Sequence, residues 1–263
     1  MTTLITGAAG KTGSRVARIL QSLGEDIRLA SRSTEPRFDW TDSRTWSAAL
    51  DGCDAAYIAF QPDIGMPGAD EIIGRFGTTA VEAGCRRLVL LSGRGEENAQ
   101  QAERALMASG GDWTIIRSAF FLQNFTESLW APELAAGHLT MLRHDAPEPF
   151  VDAQDIAEVA VAALRGPDQI GRVLEVTGPR LLTFAEVAQE FAARTGKPVA
   201  YTELDVDDFI AHLVDVGVPI EDATGLAYVF DEVLDGRNAH VTTDVANVLG
   251  RAPRDLADVL ALI

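Results

Sequence analysis

Short apolar runs alternate with amphipathic stretches through the first half of the chain. Residues 3–6 predict a strand, and residues 14–23 then place Val16, Ile19, Leu20 and Leu23 at helical spacing. A second strand is expected over 27–30, a short helix over 46–50 and a further strand over 54–60. Residues 72–83 read as a helix closed by Gly84, a residue suited to the left-handed position at a helix C-terminus. The run Arg87-Leu88-Val89-Leu90-Leu91 is almost continuously apolar, as in strands buried on both faces of a parallel sheet. A helix over 100–108, the pair Gly110-Gly111 and a strand over 113–116 complete this half. Strand, helix and strand repeated at this spacing predict βαβ units, and so an α/β fold with a doubly wound parallel sheet.

The pattern loosens after about Phe125. A helix is expected over 152–164, a short strand over 173–176, and a helix over Phe184–Thr195 with Thr183 and Glu186 as its capping box. Two more helices follow over 206–216 and Ile220–Val233. Asp205, Asp207, Asp208, Glu221 and Asp222 fall at their starts, where the helix dipole favours acids. The expected organisation is a main domain over 1–150 and a smaller, mostly helical substrate lobe over 151–263. Residues 151–176 are expected to pack back on the sheet.

The turn after the first strand carries glycines at 7, 10 and 13. Gly10-Lys11-Thr12 suggests a P-loop, but that motif needs a glycine at position 5, where Ile5 stands. What remains is G-x-x-G-x-x-G between the first strand and the first helix, the setting in which a backbone turn and a helix N-terminus receive a pyrophosphate. Dinucleotide binding on a Rossmann-type sheet follows, with Gly7, Ala9, Gly10, Lys11, Thr12 and Gly13 as the loop. The second strand ends Leu29-Ala30-Ser31-Arg32-Ser33, without the acid that would bond a free ribose 2′-hydroxyl. Arg32 and Ser31 suit a 2′-phosphate instead, which selects NADP(H) over NAD(H).

Composition narrows the partners. The 263 residues are 47% hydrophobic and 23% charged, ordinary for a packed protein. With 39 acidic and 22 basic residues the net charge is -17, which repels nucleic-acid phosphates and anionic membrane surfaces. No apolar stretch approaches a membrane span. Cys53 and Cys85 have no ligand spacing, and Met1 leads almost directly into a strand without a signal-peptide pattern; a cytoplasmic protein is expected. His138, His144, His212 and His240 are scattered, so no metal site is expected. A homodimer or a protein partner stays open.

Longer stretches carry a family resemblance. Residues 4–13, the segment Phe38-Asp39-Trp40-Thr41-Asp42, and Asp112-Trp113-Thr114-Ile115-Ile116-Arg117 followed by Phe120-Phe121-Leu122-Gln123-Asn124-Phe125 are similar to motifs of the NmrA-like branch of the atypical short-chain dehydrogenases. So are residues 150–157 and 178–188, while Ser118 replaces a proline of the pattern. The resemblance implies that Asp39 and Trp40, following a third strand, lie near the adenine. It implies that Phe60 and Gln61 close over the cofactor at the end of the fourth strand. Ser92 would sit beside the nicotinamide as a donor, and Phe120, Phe121, Asn124 and Phe150 would form an aromatic pocket with one polar handle. It also implies kinship with quinone, triphenylmethane and ergot-alkaloid reductases.

One part of the usual machinery is missing. Ordinary short-chain dehydrogenases protonate substrate from Tyr-x-x-x-Lys. Lys11 and Lys197 are the only lysines, and the residues four beyond Tyr57, Tyr201 and Tyr228 are Gln61, Asp205 and Glu232. By resemblance the dyad would fall near Gly95 and Ala99. Three functions remain open: an NADP(H)-dependent reductase of a quinone, iminium or other electron-poor acceptor; a non-catalytic NADP(H)-binding redox sensor; or a tailoring enzyme for a coupling or non-redox step. In the first, Ser92 and Asn124 are the candidate catalytic groups.

Overall fold

The computed structural model describes residues 1–144 and 146–262. The chain begins β1 (Thr2–Thr6), α1 (Lys11–Ser22), β2 (Asp26–Ala30), α2 (Trp46–Leu50), β3 (Ala55–Ile58), α3 (Ala69–Glu82), β4 (Arg87–Gly93), α4 (Glu97–Met107) and β5 (Asp112–Ser118). It continues α5 (Trp130–Ala136), β6 (His138–Leu142), α6 (Ala153–Arg165), β7 (Arg172–Val176), α7 (Phe184–Thr195) and β8 (Ala200–Leu204). Four helices follow: α8 (Val206–Asp215), α9 (Ile220–Val233), α10 (Asp244–Leu249) and α11 (Leu256–Leu260).

Six parallel strands form the main sheet in the order β2-β1-β3-β4-β5-β7. Both faces are covered, which explains the unbroken apolar runs. On β1, Leu4 faces the α3 side with Ile73 and Phe76, while Ile5 faces the α1 side with Val16 and Leu20. Leu88 and Leu90 of β4 join the first group and Val89 the second, the period of two that a strand imposes. Helices α3 and α4 pack together on one face, α1 and α6 on the other. Winding reverses between β1 and β3, so the C-terminal ends of those strands open a crevice.

One expected strand is absent. The resemblance implied a third strand ahead of Phe38, but residues 31–40 form no ladder beside β2, apart from a bond from Phe38 N to Ser31 O at 2.9 Å. Side chains satisfy this backbone instead: Thr45 Oγ1 accepts from Asp39 N at 3.0 Å and Trp46 Nε1 donates to Asp39 O at 2.8 Å. The strand over 54–60 is therefore third in the chain, not fourth, and β2 is an edge.

The lobe has its own core. Phe125, Trp130, Leu139 and Met141 pack with Phe184, Phe209 and Phe230, so residues on both sides of position 150 build it. Strands β6 and β8 form a two-stranded parallel sheet that the sequence did not suggest. They are five residues each and lie far apart in the chain, and β8 is only half-buried. Meanwhile β7 pairs with β5 in the main sheet. Residues from 122–142 and from 182–260 thus share the lobe core, while α6 and β7 lie with the main sheet.

Helix α7 begins as its sequence requires. Thr183 Oγ1 accepts from Glu186 N at 3.1 Å, and Glu186 Oε2 accepts from Thr183 N at 2.7 Å. Thr183→Ala is expected to cost about 1 kcal/mol and lower Tm by about 2–4 °C; thermal denaturation followed by circular dichroism checks this.

Candidate active site

A cavity of about 460 Å³ opens at the C-terminal edge of β1, β3, β4 and β5 and is roofed by the lobe. The glycine loop forms one wall. Gly7 has φ +60, and its carbonyl accepts from Gly10 N at 2.8 Å. A Cβ on Gly13 would lie 2.3 Å from that same carbonyl, so only glycine lets α1 start this close to β1. Gly10 caps α1 in an extended conformation with no side chain bonded to the first-turn amides, and no acid stands in that turn. Bare amides and the positive end of a helix dipole therefore face the cavity, the donor set an anion takes.

Lys11 lines the same wall, and burial lowers its pKa while Glu127 opposes the shift. Gly7, Gly10, Lys11, Thr12, Phe60, Gln61 and Ser92 all reach the cavity. Ala9 is exposed outside it, and Gly13 is buried behind the loop. Arg32 is exposed just past β2, and among the described residues it makes no ion pair or side-chain hydrogen bond. Beside it Ser31 and Ser33 share a hydroxyl contact of 3.1 Å. Asp39 accepts from Thr41 and Arg37, which hold its carboxyl below the usual range. Trp40 packs edge-on to Phe60 at 5.2 Å, so it supports the cavity wall from behind.

Two expected roles are corrected. Ser92 is buried, and its Oγ donates to Glu103 Oε1 at 2.6 Å. Glu103 also accepts from Arg117, at 2.6 Å to Nη2 and 2.9 Å to Nε, so the serine proton is committed to a structural ion pair and not offered to a ligand. Phe150 does not line the cavity. It is buried with its ring edge-on to Phe120 at 5.7 Å and Phe184 at 5.1 Å, and serves as core beneath the pocket.

Phe120, Phe121 and Asn124 do reach the cavity, joined by Trp130, Leu226 and Phe230 from the lobe. Phe120 stands 5.4 Å from Phe230 and 6.0 Å from Trp130, forming an aromatic wall opposite the glycine loop. None of the tyrosines lines it. Tyr57 is sealed in the sheet, where burial raises its hydroxyl pKa, and Tyr228 lies exposed on α9.

Sequence reasoning passed over the charged lining. Arg94 is buried, donating to Glu175 at 3.2 Å and to the Asn238 carbonyl at 3.2 Å. Glu96 and Glu148 also line the cavity, each with one buried carboxylate oxygen lacking a hydrogen-bond partner among the described residues. Burial pushes Glu96 up to about 8, with Asp63 and Glu232 adding like charge. Burial pushes Glu148 up to about 7, with Arg94 opposing and Asp235 reinforcing the shift. The available signals were faint: Glu96 adjoins the vacant dyad position at Gly95, and Glu148 sits between Pro147 and Pro149.

The fold and the glycine-lined crevice define a Rossmann-type fold with a second, smaller lobe. The profile of the NmrA-like family matches residues 98–251, and the chain belongs to that family. It is 31% identical to a (4-alkanoyl-5-oxo-2,5-dihydrofuran-3-yl)methyl phosphate reductase of Streptomyces griseus subsp. griseus, over 97% of this chain and 95% of the relative. It is 28% identical to an agroclavine dehydrogenase of Claviceps fusiformis, over 99% and 96%. A solved NADPH-dependent quinone oxidoreductase of Escherichia coli, complexed with NADPH, superposes with a TM-score of 0.84 at 22% identity, covering 100% and 99%. No helix among the described residues is long and apolar enough to cross a membrane.

Folded Glu96 and Glu148 keep their protons to about 8 and 7, whereas unfolded glutamates release them near 4.5. Between those limits the folded chain binds more protons than the unfolded one, so stability falls as pH rises from about 4.5 to about 8. Glu96→Gln and Glu148→Gln each remove one such site. Each variant is expected to gain on the order of 2 kcal/mol over the parent across that window, read as a Tm gap that opens with pH.

Proposed function

We propose that this chain is an NADP(H)-dependent reductase of a small electron-poor acceptor, such as a quinone or an iminium ion, working without a tyrosine–lysine dyad. One observation carries the reading: a single cavity sets an uncapped helix end and Lys11 against a wall of Phe120, Trp130 and Phe230. The first side suits a pyrophosphate and the second a flat apolar molecule.

The bare amides of α1 and the Gly7–Gly10 turn hold the pyrophosphate, with Lys11 adding charge. Arg32, assisted by Ser31, meets the 2′-phosphate beyond the end of β2. Asp39 and Trp40 belong to the adenine side, and Phe60 and Gln61 to the rim over the cofactor. NADPH, when bound, supplies hydride. Phe120 and Phe121 stack the acceptor, the Asn124 carboxamide orients it, and the lobe excludes water. The names borne by the relatives, a reductase, a dehydrogenase and a quinone oxidoreductase, support redox chemistry at this site. A sensor that binds cofactor alone has no use for the apolar half of the cavity, which favours the reductase over that alternative. Acceptor and cofactor thus divide between the lobe and the sheet. Two buried free thiols accord with a reducing compartment such as the cytoplasm.

Fluorescence titration is expected to show NADPH bound more tightly than NADH. Arg32→Ala should weaken NADPH by about 10-fold or more, the worth of one charge-assisted contact, and leave NADH unaffected; equal loss for both would remove Arg32 from the 2′-phosphate. A panel of quinones and triarylmethane dyes should oxidise NADPH stoichiometrically. Tight cofactor binding with silence across the panel would return the sensor.

A further inference from the structure

Hydride transfer to a quinone creates an oxygen anion that must take up a proton, and no tyrosine reaches the cavity to give one. Lys11 stands with the glycine loop and Asp63 Oδ1 accepts from Gly65 N at 2.8 Å; the cavity's other two carboxyls, Glu96 and Glu148, each keep one oxygen without a hydrogen-bond partner among the described residues, and they are not equivalent. Glu96 is wedged against backbone: a Cβ on Gly93 would lie 1.7 Å from its Oε1 and one on Gly65 2.4 Å from its Oε2. Asp63 and Glu232 crowd it with like charge.

Glu148 stands differently. Its backbone is clamped to Leu182 by a reciprocal pair of bonds at 2.8 and 2.9 Å. Three residues on, Val151 N donates to Phe120 O at 2.9 Å, which ties this segment to the exit of β5 and the aromatic wall. The residue is 3% exposed, and Oε1 has no partner among the described residues. Two charged groups face it. Arg94, from the exit of β4, is already held by Glu175, His240 and the Asn238 carbonyl, and Asp235, beyond α9, is paired with Arg237. Neither forms a hydrogen bond with the Glu148 carboxyl.

We propose that Glu148 is the proton donor to the acceptor's oxygen, an inference that rests on the reductase reading. Hydride, with its two electrons, bonds to one quinone oxygen, the ring becomes aromatic, and the negative charge falls on the opposite oxygen. The Glu148 O–H bond breaks as the hydroquinone O–H bond forms, and the carboxylate left behind regains its proton from water at the cavity mouth. Burial supports the role, since a carboxyl held near 7 is still about half protonated at neutral pH, the balance a general acid needs there. An acceptor that is already a carbocation or a preformed iminium ion needs hydride alone and makes no use of Glu148.

Glu148→Gln separates these cases. With a benzoquinone, kcat is expected to fall about 10²- to 10⁴-fold, the usual contribution of a general acid. With a triarylmethane dye cation it should change little, and NADPH affinity measured by fluorescence should hold. Wild-type kcat/KM for the quinone should decline as pH rises through about 7, a limb missing from Glu148→Gln, retained in Glu96→Gln and partly restored by Glu148→Asp. In the cofactor-free protein, infrared titration should show a neutral-carboxyl C=O band, absent from Glu148→Gln, that disappears near the same pH. Equal slowing of quinone and dye, an unaltered limb in Glu148→Gln, or a band lost below pH 5 would each overturn the donor while the reductase stands. A wild-type protein that binds NADPH and reduces no acceptor overturns both.

Discussion

The contact between the Gly7 carbonyl and the Cα of Gly13 sets the geometry of the whole molecule's working edge. With a hypothetical Cβ at 2.3 Å there is no room for any side chain, so α1 can begin directly above the end of β1 only with glycine at 13. That closeness points the first-turn amides into the crevice where the sheet's winding reverses. A longer or looser turn would direct the same helix dipole at solvent, where it is worth little. Every other group assigned to the cofactor is placed relative to this turn.

Across the crevice, burial of charge is handled in two opposite ways. Glu103 is fully buried and fully used, accepting from Ser92 and from both Nε and Nη2 of Arg117, which locks α4 to the ends of β4 and β5. Arg94 likewise joins the β4 exit to β7 through Glu175 and to the C-terminal segment through Asn238. Removing one member of such a pair leaves an uncompensated buried charge, at about 3–5 kcal/mol. Glu96 and Glu148 receive no comparable partner among the described residues, and burial raises the pKa of each. The rigid ion pairs hold the frame in which those unpaired carboxyls stay desolvated, so their raised pKa values are a property of packing more than of their own sequence neighbours.

Legibility in the sequence followed locality. The strands of the main sheet, the capped helix α7 and the glycine turn were readable because each depends on residues within a few positions of one another. The third strand that the resemblance implied before Asp39 and Trp40 is missing, and Thr45 and Trp46, several residues on, take the backbone groups a ladder would need there. The β6–β8 pair joins segments about sixty residues apart and was invisible for that reason. Among the site residues, Phe120, Phe121 and Phe150 look alike in the sequence, yet the fold turns two toward the cavity and buries the third.

By itself the sequence determined the doubly wound sheet, the glycine loop and the absence of a Tyr-x-x-x-Lys dyad, since periodicity, a turn that only glycine fits and a residue count are all local or compositional. The tertiary structure decided which polar groups are free to act. It committed the Ser92 hydroxyl to Glu103, left Glu148 in the cavity wall with an oxygen that has no hydrogen-bond partner among the described residues, and brought Trp130 and Phe230 from the lobe to complete the aromatic wall. Hydrogen-bond pairing and desolvation depend on neighbours from distant parts of the chain, and only the folded arrangement supplies them.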